Sequence, residues 1–275
     1  MTSAVKGDYV YRFSLNTRIQ HAVLLVSFTL LVMTGLPIGF PEAPTAQWWI
    51  GIWGGKDNAL LAHQVGAVII SLVCLYHLLS ILFFMLVLKK PFPWDMAPKL
   101  KDAKDIMQSM LHVLGLAEEP KYNRFQYGQK IDYWSIFWGM PVMVITGFVM
   151  WFPDFVAGFL PQSVIPISVI AHRDEAILAS SFILIVHMYY GHLAPITFPI
   201  NWVMFSGRKL KAEYKNWFGL EYVKLMKEAG TPDAEAEAAS KEVKVARPVP
   251  PFVKRFLEGK PIFEPKKKDS EAKKD

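Results

Sequence analysis

Four stretches of the chain contain no Asp, Glu, Lys or Arg: 21–40, 59–88, 133–153 and 176–207. A bilayer core of about 30 Å needs about 20 predominantly apolar residues in a helix, and each stretch is long enough. The pattern predicts an all-α membrane protein, a four-helix bundle with spans at about 19–40, 59–88, 131–153 and 170–196. Residues 1–210 then form the transmembrane domain and 211–275 a tail. Trp48, Trp49 and Trp53 in the first connector read as an interfacial aromatic belt. In the second, Ile106, Met107, Met110, Leu111 and Leu114 recur at helical spacing, predicting an amphipathic helix over Asp102–Leu116 on the membrane surface or against a partner. Asp154–Ile170 is apolar and proline-punctuated, a re-entrant or interface-hugging turn. The fourth span should break by Pro195 or Pro199. Beyond Arg208 the composition becomes polar. Ala212–Glu228 fits a surface helix, whereas Glu235–Asp275, rich in Ala, Glu, Lys and Pro, reads as disordered or ordered by a partner.

The chain has 275 residues and a net charge of +6. That excess alone would point to a nucleic-acid partner, but its placement follows the spans. Lys and Arg number 3 before the first span, 1 and 1 in the first and third connectors, 8 in the second and 17 after the fourth. Positive charge marks the cytoplasmic side, so both termini, the second connector and a basic tail lie inside. No nucleic-acid role is needed. The single Cys74 falls within a span, which excludes a disulfide framework and covalent c-type haem attachment. The polar start runs straight into a full-length span, with no cleavable leader expected.

Six of the seven histidines lie in or at the edge of a span. Polar ligating groups are costly inside a bilayer and are functional candidates by default. His63 and His77 are 14 residues apart on span two, and His172 and His187 are 15 apart on span four. At 1.5 Å and 100° per residue, each pair is separated by about 21–22 Å of depth and stays within about 40–60° of one face. Two haems stacked across the membrane between imidazoles of facing helices fit that spacing. By depth His63 pairs with His172 at the outer level, and His187 pairs with His21 or His77 at the inner. Arg12, Arg18, Arg173 and Arg208 sit at interface depth, where haem propionates need partners. His192 is a further possible ligand, and a third haem would engage it with His77.

Arg18-Ile-Gln-His21 with Thr34-Gly35, His63, Gln126-Tyr-Gly-Gln129-Lys130, Tyr133-Trp134-Ser135, Val144-Ile-Thr146-Gly147, Ile170-Ala-His172 and Ile185-Val-His187-Met188 follow one another across about residues 10–215. In this the chain resembles the di-haem cytochrome b membrane subunits of respiratory formate dehydrogenases, of the cytochrome b561-like superfamily. The resemblance implies an inner haem b on His21 and His187, an outer one on His63 and His172, and a quinone beside the inner haem near Gln126, Gln129, Lys130 and His187. The 15-residue spacing in span four, where the resemblance implies fourteen, and the additional His77 depart from that pattern. The stretch from His187 through His192 to Arg208 is closer to cytochrome b subunits that accompany multihaem c-type cytochromes.

The expected function is that of the membrane cytochrome b subunit of a quinone-linked respiratory oxidoreductase in a bacterial or archaeal cytoplasmic membrane. Electrons would pass between a periplasmic iron–sulfur or multihaem cytochrome c subunit and menaquinone or ubiquinone. A self-sufficient transmembrane reductase of the ascorbate or ferric type and a non-redox anchor or transporter are the rival readings. Transport is disfavoured because the four charge-free stretches hold no carboxylate.

Overall fold

The computed structural model describes residues 5–194, 197–241 and 251–260. Among them four helices are long and apolar enough to cross a membrane: α1 (Leu15–Gly39), α3 (Lys56–Leu86), α5 (Tyr127–Trp151) and α7 (Val164–Phe182), which runs on through two π-helical turns, Ile183–His187 and Tyr189–Leu193. Their large apolar side chains face outward. Leu72, Leu86, Trp138 and Leu184 are well exposed, whereas the buried positions of α1 and α3 are Ser27, Thr34, Ala59, Gly66 and Ile70. With lipid outside there is no hydrophobic drive between helices, so small and hydroxyl-bearing residues take the interfaces and let backbones approach. A Cβ on Gly66 would lie 3.2–3.3 Å from Leu30 and Leu31 of α1. The chain is a multi-pass membrane protein.

The chain forms two compact units. The first comprises Tyr9–Trp94 and Gly128–Lys209 and holds the membrane helices. Ser14 caps α1 by accepting from the Thr17 N–H, and the Arg12 and Phe13 N–H groups both donate to the Gly207 carbonyl. The first connector is not merely a tryptophan belt: Pro44 opens a short helix, α2 (Pro44–Ile52), and Trp49 donates its indole N–H to the Met33 carbonyl. The third connector differs from the expected re-entrant turn. A one-turn helix, α6 (Pro153–Ala157), precedes α7, which begins at Val164 rather than near 170. Pro166 falls in its first turn, where a missing N–H costs nothing. Pro195 lies outside the described residues, so the expected break there is not described.

The second unit gathers 1–8, 95–127 and 210–275. The amphipathic helix is present as α4 (Leu100–Val113), capped by Asp102 on the Lys99 N–H. The surface helix expected over 212–228 is two helices, separated by α8 (Val203–Ser206) of the first unit from the spans: α9 (Lys211–Trp217) and α10 (Gly219–Glu228). Gly219, a poor helix former, starts the second. Tyr214, Trp217, Phe218, Tyr222, Leu225 and Met226 form their buried side. Within the stretch expected to lack structure, α11 (Ala234–Lys241) and α12 (Pro251–Leu257) are helical, and the remainder lies outside the described residues. Ala and Glu favour helix in α11, and Asp233 accepts from the Ala236 N–H at its start. That N–H, together with Lys215, holds the Asp233 carboxyl below the usual range. Helix α12 has a partner within the chain. Val253 and Leu257 pack on Leu111 of α4 and Ala117, with Leu116 and Phe256 alongside.

Placing a carboxylate in that small cluster costs more than the contact supplies. Leu257→Asp should therefore release α12, and trypsin should cut after Lys254 and Arg255 several-fold faster than in the unaltered chain. Unchanged digestion would contradict this packing.

Candidate site at two depths of the bundle

Two pairs of imidazole rings face one another inside the first unit. His63 of α3 and His172 of α7 have ring centres 6.3 Å apart with planes at 68°. His21 of α1 and His187, at the end of the first π turn, have ring centres 6.2 Å apart at 35°. An imidazole nitrogen binds a metal ion at about 2 Å and the ring centre lies about 1 Å further back, so two imidazoles on opposite sides of one ion have centres about 6 Å apart. Both pairs have that separation.

The hydrogen bonds to Nδ1 decide which nitrogen is free. The Thr34 hydroxyl donates its one proton to the Leu30 carbonyl (2.7 Å), so toward His63 its oxygen can only accept, and His63 Nδ1–H is the donor (3.0 Å). The arrangement recurs on α5. Thr146 gives its proton to the Val142 carbonyl and accepts from His172 Nδ1–H at 2.9 Å. At the inner level the Asp132 carboxylate accepts from His187 Nδ1–H at 3.0 Å. In each case the neutral ring is left with a bare Nε2 lone pair, the form in which histidine ligates a metal. A glycine follows each threonine. A Cβ on Gly35 would sit 2.7 Å from His63 Cε1, and one on Gly147 3.4 Å from His172 Cε1. The Thr-Gly dipeptide thus pairs a hydroxyl that orients a ring with a gap that admits it.

Fifteen residues separate His172 from His187, which in a regular α-helix would overshoot four turns by about 60°. The π turn over Ile183–His187 has a wider repeat than 3.6 residues and takes up much of that excess. His187 then lies on the His172 side of α7 and meets His21. The odd spacing was the visible sign of this irregularity.

His77, the other inner-level candidate, meets neither pair. Its Nδ1 bonds Gln20 Oε1 (2.8 Å) and its Nε2 the Tyr133 hydroxyl (3.1 Å), so both ring nitrogens are taken by protein groups. His192 is half-buried in the second π turn, and its buried Nδ1 has no partner among the described residues. Arg18 donates through Nη1 to the Ser206 carbonyl at 2.8 Å and leaves a buried Nε without a partner. Asp132 Oδ1 is a third such atom. Arg12, buried, donates to Gln129 Oε1 at 3.1 Å. Lys130 is buried, whereas Gln126, also buried, belongs to the second unit. Arg173, at the outer end, lies over the Phe40 ring at 5.9 Å and contacts Asp174 at 3.4 Å.

The sequence reading missed Asp132. It lies inside the expected third span, one residue before the charge-free stretch opened by Tyr133, and was given no role; α5 begins five residues earlier, at Tyr127. Glu175, likewise, is inside α7, with Oε1 2.6 Å from where a Gly139 Cβ would be. The four charge-free stretches hold no carboxylate, as read, but the membrane helices extend beyond them and include Asp132 and Glu175, so that absence does not argue against transport.

Comparison with known proteins adds a second line. The model of the family "Prokaryotic cytochrome b561" matches residues 12–207. The cytochrome b556(Fdn) subunit of the nitrate-inducible formate dehydrogenase of Escherichia coli (strain K12) is 27% identical over 184 residues, covering 67% of this chain and 78% of that protein. The cytochrome b556 subunit of formate dehydrogenase from Haemophilus influenzae is 24% identical over 180 residues, covering 66% and 69%. The E. coli cytochrome b556(fdo) subunit is 24% identical over 190 residues, covering 67% and 79%.

The glycines order a set of stabilities. Gly35→Ala should push the His63 ring off Thr34 and destabilise the protein by about 1–3 kcal/mol, as overpacking does. Gly147→Ala, at ordinary contact distance, should cost less, and Gly51→Ala, with nothing within 4 Å, should be neutral or slightly stabilising. Thermal melts in detergent read the order directly.

Proposed function

The chain belongs to the prokaryotic cytochrome b561 family, and from that premise we propose that it carries electrons through two b haems between an outer-face redox subunit and membrane quinone. Membership implies haem b and a membrane electron-transfer role. The observation that carries the finer reading is the pair of facing imidazoles at each of two levels, at ligand separation and with Nε2 left free on His63, His172 and His187.

His63 and His172 would hold the outer haem, His21 and His187 the inner. Held by two imidazoles, such a haem would supply one-electron transfer rather than oxygen chemistry. The unpartnered Arg18 Nε suits a propionate at the inner end, and Arg173 is the corresponding cation at the outer. His77, with both nitrogens engaged, is left out of the ligand set, so the count is two.

The quinone site is assigned to the inner level beside His187, where Asp132 Oδ1 and His192 Nδ1 are buried polar atoms in want of a partner and Lys130 and Gln129 lie on the adjoining turn of α5. The excess of Lys and Arg on the connector before α5 and in the tail supports the orientation with these ends in the cytoplasm of a bacterial or archaeal cell. The named relatives are subunits of formate dehydrogenases, which favours a periplasmic partner carrying iron–sulfur or multihaem centres. No substrate site for outer-face chemistry is assigned to this chain.

His172→Ala should abolish the outer haem's contribution to the reduced-minus-oxidised spectrum and halve the haem content while the inner signal persists. A menaquinol or ubiquinol analogue should reduce the haem of the unaltered protein without any other subunit. Retention of both haems in His172→Ala would defeat the ligand assignment, and inertness toward quinols would defeat the quinone link.

A further inference from the structure

His77 is an ionisable group inside a span that the ligand sets above leave unused. Groups from three helices meet at its ring. Gln20 of α1 presents its amide oxygen to Nδ1, and Tyr133 of α5 presents its hydroxyl to Nε2. An amide oxygen accepts only, so Nδ1 carries the proton and Nε2 accepts from Tyr133 O–H. This is the hydrogen-bonded pair of a general base and the hydroxyl it can deprotonate. One turn before Gln20, Asn16 Oδ1 accepts from the Tyr76 hydroxyl at 3.1 Å, and both residues are exposed. A second polar rung between α1 and α3 thus lies one turn nearer the inner end of the bundle than the half-buried one. Asp132, which holds His187, precedes Tyr133 by one residue, and Lys130 is the next charged group on the helix.

We propose that Tyr133 and His77 form a proton-transfer site for the quinone headgroup, with Gln20 as the residue that positions the imidazole. The proposal rests on the quinone-linked reading above. In quinol oxidation one quinol O–H breaks and its proton forms a bond to the Tyr133 oxygen, while the Tyr133 proton moves to His77 Nε2. The imidazolium then gives up its Nδ1 proton to water from the inner face, the Gln20 amide oxygen orienting the ring without carrying the proton. The quinol's second proton leaves from its other hydroxyl to water, and its two electrons would be taken up one at a time by the b haems that the proposed function supplies as oxidant. Quinone reduction runs the same bonds in reverse. Each half of the arrangement is needed. Without the tyrosine the base does not reach the quinol, and without the imidazole the phenol has nowhere to send its proton.

The test is stopped-flow reduction of the haem-loaded protein by duroquinol, followed at the haem absorbance, with Tyr133→Phe and His77→Ala beside the unaltered chain. Both variants should retain full haem content and rapid reduction by dithionite. Their reduction by duroquinol should slow by about 100-fold, the scale of a lost general base. Added imidazole should restore much of the rate to His77→Ala, which a role in packing alone would not allow. Wild-type quinol rates in both variants would overturn the proposal, as would loss of a haem in His77→Ala, which would make His77 an iron ligand. If the unaltered protein itself does not react with duroquinol, the quinone-linked reading fails and the relay with it. Normal reaction of the unaltered protein and of both variants sinks the relay alone.

Discussion

A threonine hydroxyl has one proton to give, and in a helix the carbonyl one turn back is the nearest acceptor. Once Thr34 and Thr146 donate there, each can only accept from the histidine on the neighbouring helix. That simple constraint fixes the tautomers of His63 and His172 and leaves their Nε2 lone pairs unprotonated in two rings whose centres are 6.3 Å apart. It also solves a problem peculiar to a bilayer, where an unsatisfied ring N–H costs several kcal/mol and no water is at hand. The apolar exterior, the small residues between helices and the gaps at Gly35 and Gly147 are all consistent with serving this arrangement.

The two levels are not equivalent. At the outer level both rings rest on neutral hydroxyls, and at the inner one His187 rests on a carboxylate. An anionic partner makes a ligating imidazole more basic than a hydroxyl does. The inner level is also where the helix departs from regularity, with His187 and His192 in consecutive π turns, and where the buried unpartnered atoms of Arg18, Asp132 and His192 occur. Irregular backbone and unmet polar atoms in the membrane are tolerated where they border a binding site. The chemistry that involves protons is therefore assigned there, and the outer level is read as a carrier of electrons alone.

The four spans were legible because bilayer thickness imposes a length that no soluble helix must meet, and the two histidine levels because depth follows from residue number. The choice between His21 and His77 was not legible. Both lie at a workable depth, and beyond the resemblance, which implied His21, it is the 6.2 Å approach of His21 to His187 and the bonds from Gln20 and Tyr133 to His77 that separate them. Asp132 fell within the expected third span but drew no role, because nothing in the sequence shows that its carboxylate meets His187, 55 residues away. The early start of α7 was masked by Pro166, which reads as a breaker unless it falls in a first turn. Composition made the tail look unstructured, since Val253 and Leu257 find their apolar partners more than a hundred residues away in α4.

The central claim is that four histidines, paired at two depths, hold two haems. Its most direct measurement is the haem content of the detergent-purified chain by pyridine haemochrome, with the dithionite-reduced minus oxidised spectrum recorded on the same sample. The account predicts a b-type spectrum and about two haems per chain, one for each imidazole pair. A folded protein with no haem would contradict it, and a stoichiometry of three would return His77 and His192 to the ligand set.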